Sequence, residues 1–348
     1  MELLEIRNLR DQAALDRFHR VVDSVYADDP VWAPASELIA AERLRQFSAR
    51  HGGCLVPVVA LDQDRPLARA AAIVAPGAVD EAGQPEGWIG FVECVPDRPD
   101  AAGRVLEQCE AILRAAGARS AVLPKVDSQL LGLLIEGFDL PHTILTNHHP
   151  PFYLELFLSL GYQIKTRFYT LNFTREHAAP VQVALPGYTT REFDRARLAE
   201  ETALFHEVQR AIFADGPGYL PRTLEEDRAL IESFLPFLHD DLVIIAQDAA
   251  ARPVGLLVCL PDVYQALQGQ PIDRVRIVSI GAAPSHRNKG IGALMGAHLM
   301  RNLLGHTEYV YAEGSWVRAG NVSPRNLARR FHARPGREFA LLAKRLAG

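Results

Sequence analysis

Shifted by 187 positions, this chain matches itself, and that repeat limits its fold more than any other feature. Phe18-His19 falls on Phe205-His206, and Val21 on Val208. Ala27-Asp28 falls on Ala214-Asp215, Pro30 on Pro217, Pro34 on Pro221, and Trp32 on the aromatic Tyr219. Arg65-Pro66 then meets Arg252-Pro253 with no gap. Abundant Ala and Arg do not by chance align prolines, aspartates and aromatics at one constant offset. At 348 residues the chain has room for two ordinary domains, so it reads as two copies of one fold.

Both copies show the same order of apolar periods. A short strand (Glu5 to Asn8, Tyr188 to Glu192) precedes a helix holding the Phe-His pair. An Asp/Pro-rich loop and a polar helix follow (Glu37 to Phe47, Leu224 to Leu235). Next comes a strand pair turning at Asp62 to Pro66 or Asp248 to Pro253. A long strand, a helix and another strand close each copy. They are expected at Trp88 to Val95, Asp100 to Ala116 and Ser120 to Leu123, and again at Val275 to Ala282, Ile291 to Leu304 and Glu308 to Tyr311. The fold class is α/β with a mixed sheet. Domains are expected at 1-174 and 187-348, joined by a linker at 175-186.

Several classes are set aside. No apolar run approaches the ~20 residues of a membrane span. Met1-Glu2-Leu3-Leu4-Glu5 has no basic region before an apolar stretch, so no secretory signal is expected, and the location is read as cytoplasmic. Cys54, Cys94, Cys109 and Cys259 lack Cys-x-x-Cys spacing and read as buried thiols in a reducing compartment. A net charge of −5 speaks against nucleic acid as a partner. His142, His148 and His149 cluster without metal-ligand spacing, so no metal is expected, and a surface loop is the simplest reading.

The chemistry concentrates at Ser285-His286-Arg287-Asn288-Lys289-Gly290-Ile291-Gly292-Ala293, between an expected strand and helix. A helix N-terminus leaves N–H groups free and carries partial positive charge, and glycine lets a phosphate approach the main chain. Arg287 and Lys289 add full charges, making a pyrophosphate cradle. A Walker loop needs the lysine after the glycines, but Lys289 precedes them. A dinucleotide fingerprint opens a long βαβ series, and only 56 residues follow Gly292, although Glu308 and Glu313 supply the acid it would want.

With Pro284, Arg287, Gly290, Gly292 and Ala293, the loop resembles the acyl-CoA loop of GNAT acyltransferases, Arg/Gln-x-x-Gly-x-Gly/Ala after a strand. More widely, the chain resembles tandem GNAT-like bacterial proteins of the ceramide-synthase type. The shared segments are Asp28-Asp29-Pro30-Val31-Trp32, Ile89-Gly90-Phe91 with Glu93, Leu134-Ile135-Glu136-Gly137-Phe138-Asp139, Pro150-Pro151-Phe152-Tyr153, and Ser315-Trp316 with Asn321. The resemblance implies two tandem GNAT folds and N-acyl transfer from acetyl-CoA or another acyl-CoA to a primary amine on a small molecule or peptide. A long acyl chain with a sphingoid-like base, or non-catalytic acyl-CoA sensing, are the alternatives. The assembly is expected to be a monomer (an internal pseudo-dimer) or a homodimer.

Carried over residue by residue, the acyl-CoA site comprises Ile280, Gly281, Ala282, Arg287, Asn288, Lys289, Gly290, Ile291, Gly292 and Ala293, with Asn321 and Asn326 as further contacts or helix caps. On the expected strand, Tyr309, Tyr311, Glu313 and Ser315 share one face by alternation. Glu313, directly or through water, is the candidate base and Tyr311 the candidate acid; an ordinary solvated edge-strand face is the alternative. The family's usual last-helix tyrosine corresponds here to Phe331, which has no hydroxyl. In the first copy the constant offset puts Asp100 at Arg287 and Val105 at Gly292, so that half is expected not to hold CoA in the usual way.

Overall fold

A computed structural model describes residues 1–49, 54–214, 219 and 221–346; of the repeat positions, Asp215 and Pro217 lie outside the described residues. Two compact units are present. Unit 1 is Met1–Phe168 with Arg337–Gly348, and unit 2 is Tyr169–Gly336.

Unit 1 begins with β1 (Glu2–Glu5), α1 (Gln12–His19), α2 (Val21–Val25) and α3 (Ala35–Ala49). Strands β2 (Cys54–Asp62), β3 (Arg65–Val74) and β4 (Glu86–Cys94) form an antiparallel run beside β1. Helix α4 (Pro99–Ala115) then crosses to β5 (Ser120–Leu123), parallel to β4. Ala101, Ala102, Val105, Leu106, Cys109 and Leu113 are buried at helical spacing. The alanines of β3 (Ala68, Ala70 and Ala72) share that core and allow the helix a close approach. Strand β6 (Leu133–Glu136) and helix α5 (Tyr153–Ser159) follow, and β7 (Gln163–Thr174) leads out of the unit.

Unit 2 repeats the plan with β8 (Tyr188–Glu192), α6 (Leu198–Phe213) and α7 (Leu224–Phe234), the last opened by a Thr223/Glu226 capping box. Antiparallel β9 (Val243–Asp248), β10 (Pro253–Pro261) and β11 (Arg274–Ala282) follow, with a short α8 (Val263–Leu267) between β10 and β11. Helix α9 (Ile291–Gly305) buries Ile291, Met295 and Leu299, spaced by four, over β9, β10 and β11. It leads to β12 (Tyr311–Arg318), parallel to β11, then α10 (Val322–Arg330) and β13 (Arg334–Arg345). Among the described residues no helix is long and apolar enough to cross a membrane.

The repeated Phe-His pair has a structural task in each unit. His19 Nδ1 meets Glu37 Oε1 at 2.6 Å, tying α1 to α3; His206 Nδ1 meets Asp227 Oδ2 at 2.8 Å, tying α6 to α7. Phe18 is fully buried.

Four expectations are corrected. The units divide inside β7 rather than at 174, and residues 175-186 are not a free tether, because Val181, Val183 and Leu185 pack on unit 2 cores. The C-terminal strand returns to unit 1: Leu342 pairs with Leu123, and Ala340, Leu342 and Leu346 complete that core. Strand β12 begins at Tyr311, where it was expected to end. Cys54 is exposed, while Cys94, Cys109 and Cys259 are buried as read from the sequence.

Replacing Leu342, which is fully buried, with alanine should therefore destabilise unit 1 by about 2–5 kcal/mol. Urea unfolding followed by a probe in unit 1 measures this. A loss below 1 kcal/mol would contradict a core role for the last strand.

Candidate functional site

The β11–α9 junction is a hydrogen-bonded turn of eight residues, Ala283–Gly290. Ala283 N–H donates to the Val254 carbonyl, holding the strand end on β10, and Pro284–His286 forms a single 3-10 turn. Asn288 (φ 61°) and Gly290 (φ 90°) both adopt left-handed backbone, with Gly290 the residue before the helix. The N–H groups that open α9 have no acceptor within the helix, apart from Ala293 N–H, which donates to the Gly290 carbonyl at 3.0 Å. Arg287, Asn288, Lys289 and Gly290 are exposed, and Gly292 and Ala293 are half-buried.

Helix α6 fixes the loop from behind. Arg287 Nη2 donates to the Ile212 carbonyl at 2.8 Å. Gly281 leaves room for the Ile212 side chain, since a Cβ there would come within 2.4 Å of it. Among the described residues an added Cβ at Gly292 would meet only ordinary contacts, at 3.6 Å to Leu327 and 4.0 Å to Ile280. Packing alone does not require that glycine.

Strands β11 and β12 form a wedge beside the cradle. Their parallel register runs from Arg274↔Tyr311 to Ile277↔Gly314, while β11 continues to Ala282 and β12 to Arg318. Beyond that point Ile280, Gly281 and Ala282 pair with β10. A bulge at Val258/Cys259 marks the register change on that side. The wedge thus opens toward the first turn of α9.

Tyr311 stands at the paired end of it. It lies opposite Arg274, six residues before Ile280, which at 3.3 Å per residue is about 20 Å. Tyr311 thus stands in the paired stretch, three residues before the last paired position, Gly314. Tyr309 lies outside β12, packed against His306 and His239. Glu313 is on neither an open nor a solvated face: it is fully buried opposite an equally buried Arg276. Its Oε1 is 4.0 Å from Arg276 Nε, and Ser315 Oγ bridges them, accepting from Arg276 at 2.7 Å and donating to Glu313 at 3.3 Å.

Asn321 follows the end of β12 and Asn326 lies on α10; both are exposed. The neighbouring Leu327 faces Gly292, so α10 lies beside the cradle. Phe331 is buried with Ala297 and Met300 and fills the space over Gly296, where a Cβ would come within 2.9 Å of its ring. An apolar packing role accounts for the missing hydroxyl.

The corresponding place in unit 1 is closed, for a reason the sequence offset concealed. Four residues, Val95–Arg98, join β4 to α4, whereas eight, Ala283–Gly290, join β11 to α9. Gly103 consequently lies inside α4, and Asp100 stands in its first turn, held by Arg98 through two 2.9 Å hydrogen bonds. The β4/β5 wedge is filled as well. Lys125 N–H donates to the Ile89 carbonyl at 2.9 Å, and Val126 and the Lys125 carbonyl occupy the space at Gly90.

The resemblance segments of unit 1 meet elsewhere, around Glu93. A bulge in β4 places Phe91 at φ 54°. Glu93 Oε2 accepts from Tyr26 at 2.8 Å and Tyr153 at 2.9 Å. Trp32 stacks on Tyr26 at 4.6 Å. Asp29 holds Val31 N–H, Trp32 N–H and His148 Nε2. Nearby, Arg69 is buried against Glu37.

His142, His148 and His149 are all buried, which corrects the surface reading. Burial holds all three below the ordinary imidazole range, His149 at about 3. As neutral rings, His142 and His149 accept N–H groups of Ala33 and Leu134. The doubled histidine beside Pro150 was the one sequence signal of this network.

Burial pushes Glu93 up to about 7 from 4.5, against the opposing pull of Arg69 and its tyrosine hydrogen bonds. Folding therefore favours the protonated acid. Its contribution is fully present below about pH 4.5 and is lost as pH rises through 7. The span corresponds to about 3 kcal/mol. Urea unfolding of wild type and Glu93→Gln at pH 5 and pH 8 should show wild type losing more stability than the variant by that order. Equal losses would contradict the shift.

No family model matches the chain. It is 24% identical over 376 aligned positions to Protein YghO of Escherichia coli strain K12, covering 98% of this chain and 95% of that one. A bacterial ceramide synthase of Caulobacter vibrioides is 27% identical over 195 positions, 53% of this chain and 50% of that protein. A tandem GNAT protein from the clavulanic acid biosynthesis pathway superposes with a TM-score of 0.64 over 100% of this chain and 99% of its own, at 12% identity. At such identity the likeness speaks for architecture alone. The chain has the tandem GNAT fold.

Proposed function

We propose that the protein is an N-acyltransferase that takes its acyl group from acyl-CoA, held by unit 2, and delivers it to a primary amine. The observation that carries this reading is the Arg287–Ala293 turn at the open end of the β11/β12 wedge. The diphosphate would rest on the N–H groups from Asn288 to Gly292, beside Arg287 and Lys289, with Ala293 closing the turn through the Gly290 carbonyl. The pantetheine amides would pair with Ile280, Gly281 and Ala282, and Asn321 and Asn326 would meet the carrier from the α10 side. Acetyl is the default acyl group. The likeness to a ceramide synthase supports a long acyl chain and a sphingoid-like base as the alternative.

The reaction needs a neutral amine. Its nitrogen attacks the thioester carbonyl, a C–N bond forms, and the C–S bond breaks, CoA leaving as a thiolate that takes a proton from solvent. Main-chain N–H groups at the end of β11 would steady the oxyanion. Buried and facing Arg276, Glu313 would receive the amine proton through Ser315 Oγ rather than directly. Phe331 supplies no proton to the leaving thiolate, which favours a second reading: an acyl-CoA sensor without turnover.

Gly292→Ala separates ligand binding from folding, because among the described residues its new methyl meets only ordinary contacts. Calorimetric titration with CoA should show at least tenfold weaker binding at an unchanged melting temperature. Arg287→Glu should abolish both binding and thiol release with acetyl-CoA and an amine panel. Unaltered CoA affinity in Gly292→Ala would place the diphosphate elsewhere. Binding without thiol release from any tested acyl-CoA and amine would leave the sensor.

A further inference from the structure

Far from the cradle, at the other end of α9, unit 2 gathers a set of side chains that acyl transfer does not use. His239, Asp241 and His306 each present one ligand atom, and these atoms all lie within 4.8 Å of one another. His306 Nε2 faces Asp241 Oδ2 at 2.8 Å, and the His239 and His306 ring centroids are 4.9 Å apart. We propose that these three residues form a binding site for a divalent transition-metal ion of the zinc type.

Two features distinguish the cluster from an incidental surface ion pair. The first is the opposite edge of the His306 ring. Its Nδ1 meets Glu308 Oε1 at 3.0 Å. A carboxylate on the far nitrogen fixes ring orientation and turns Nε2 toward Asp241, the arrangement that accompanies most metal-binding histidines. The second is the rigidity of both supports. Asn302 Nδ2 donates to the Asp241 carbonyl at 2.7 Å, and Arg195 grips the turn through the Leu238 carbonyl at 2.6 Å and Asp240 at 2.9 Å. On the helix side, Arg175 donates to the carbonyls of Leu304 at 2.9 Å and His306 at 3.0 Å.

The donor set selects the ion. Two imidazoles and one carboxylate suit zinc, cobalt, nickel or copper, whereas magnesium and calcium prefer oxygen donors throughout. Water would complete the coordination, since three protein ligands leave a position open. The proton between His306 Nε2 and Asp241 leaves when the metal enters. Occupied, the site ties the C-terminal end of α9 to the turn that opens β9. The inference stands apart from the acyl-transfer reading, because its ligands and its readout involve no CoA.

Tag-free, chelator-treated full-length protein should be titrated with Co2+ by visible absorption and with Zn2+ by calorimetry. One ion per chain is expected, with the visible band of a four-coordinate cobalt site. His239→Ala should weaken binding at least tenfold; His239 is exposed, so far-UV dichroism and melting temperature should match wild type. Glu308→Gln should weaken binding about 10–100-fold by freeing the His306 ring. His177→Ala, a control at another histidine 3.0 Å from a glutamate, should change nothing. Absence of saturable micromolar binding in the wild type, or full affinity in folded His239→Ala, would overturn the site.

Discussion

The junction between β11 and α9 depends on one constraint: the first turn of a helix has N–H groups that the helix itself cannot satisfy. In unit 2 those groups follow a loop of eight residues in which Asn288 and Gly290 take left-handed backbone. Apolar packing of Ile291, Met295 and Leu299 seats the helix on its sheet, and Ile212 of α6 holds the loop through Gly281 and Arg287. Apolar burial thus positions a polar feature that would otherwise be costly.

Unit 1 shows the same frame with that feature removed. Shortening the β4–α4 connection to four residues brings the helix start onto the strand end, with Pro99 at its first position. Lys125 and Val126 then close the wedge that splaying strands would leave. Where unit 2 exposes main-chain N–H groups, unit 1 buries a hydrogen-bonded network around Glu93. The segments that gave the chain its resemblance to ceramide-synthase-type proteins meet there: Asp29 sets Trp32, Trp32 stacks on Tyr26, and Tyr26 joins Tyr153 on Glu93. The resemblance is carried largely by the unit that lacks the cradle.

Sequence alternation served the last strands less well. It correctly placed Tyr311, Glu313 and Ser315 on one face, but alternation has no origin and does not say where a strand begins. With β12 starting at Tyr311, the tyrosine falls at the closed end of the wedge and Glu313 opposite Arg276. The buried guanidinium needs a counter-charge, and register supplies it from the neighbouring strand. No local pattern announces such a pairing, because Arg276 and Glu313 are brought together only when parallel strands align.

The sequence by itself determined the duplicated fold and the strand-turn-helix of the cradle. Both are written in local spacing: prolines and aromatics at one offset, glycines before an amphipathic helix. The loss of the cradle in the first copy follows from the shorter β4–α4 connection, which the constant offset hid. Tertiary structure decided what depends on distant segments meeting. It returned the C-terminal strand to unit 1, buried His142, His148 and His149, turned Glu313 into the partner of Arg276, and set His306 beside Asp241. Those outcomes rest on long-range packing and hydrogen-bond satisfaction, which chain neighbours alone do not specify.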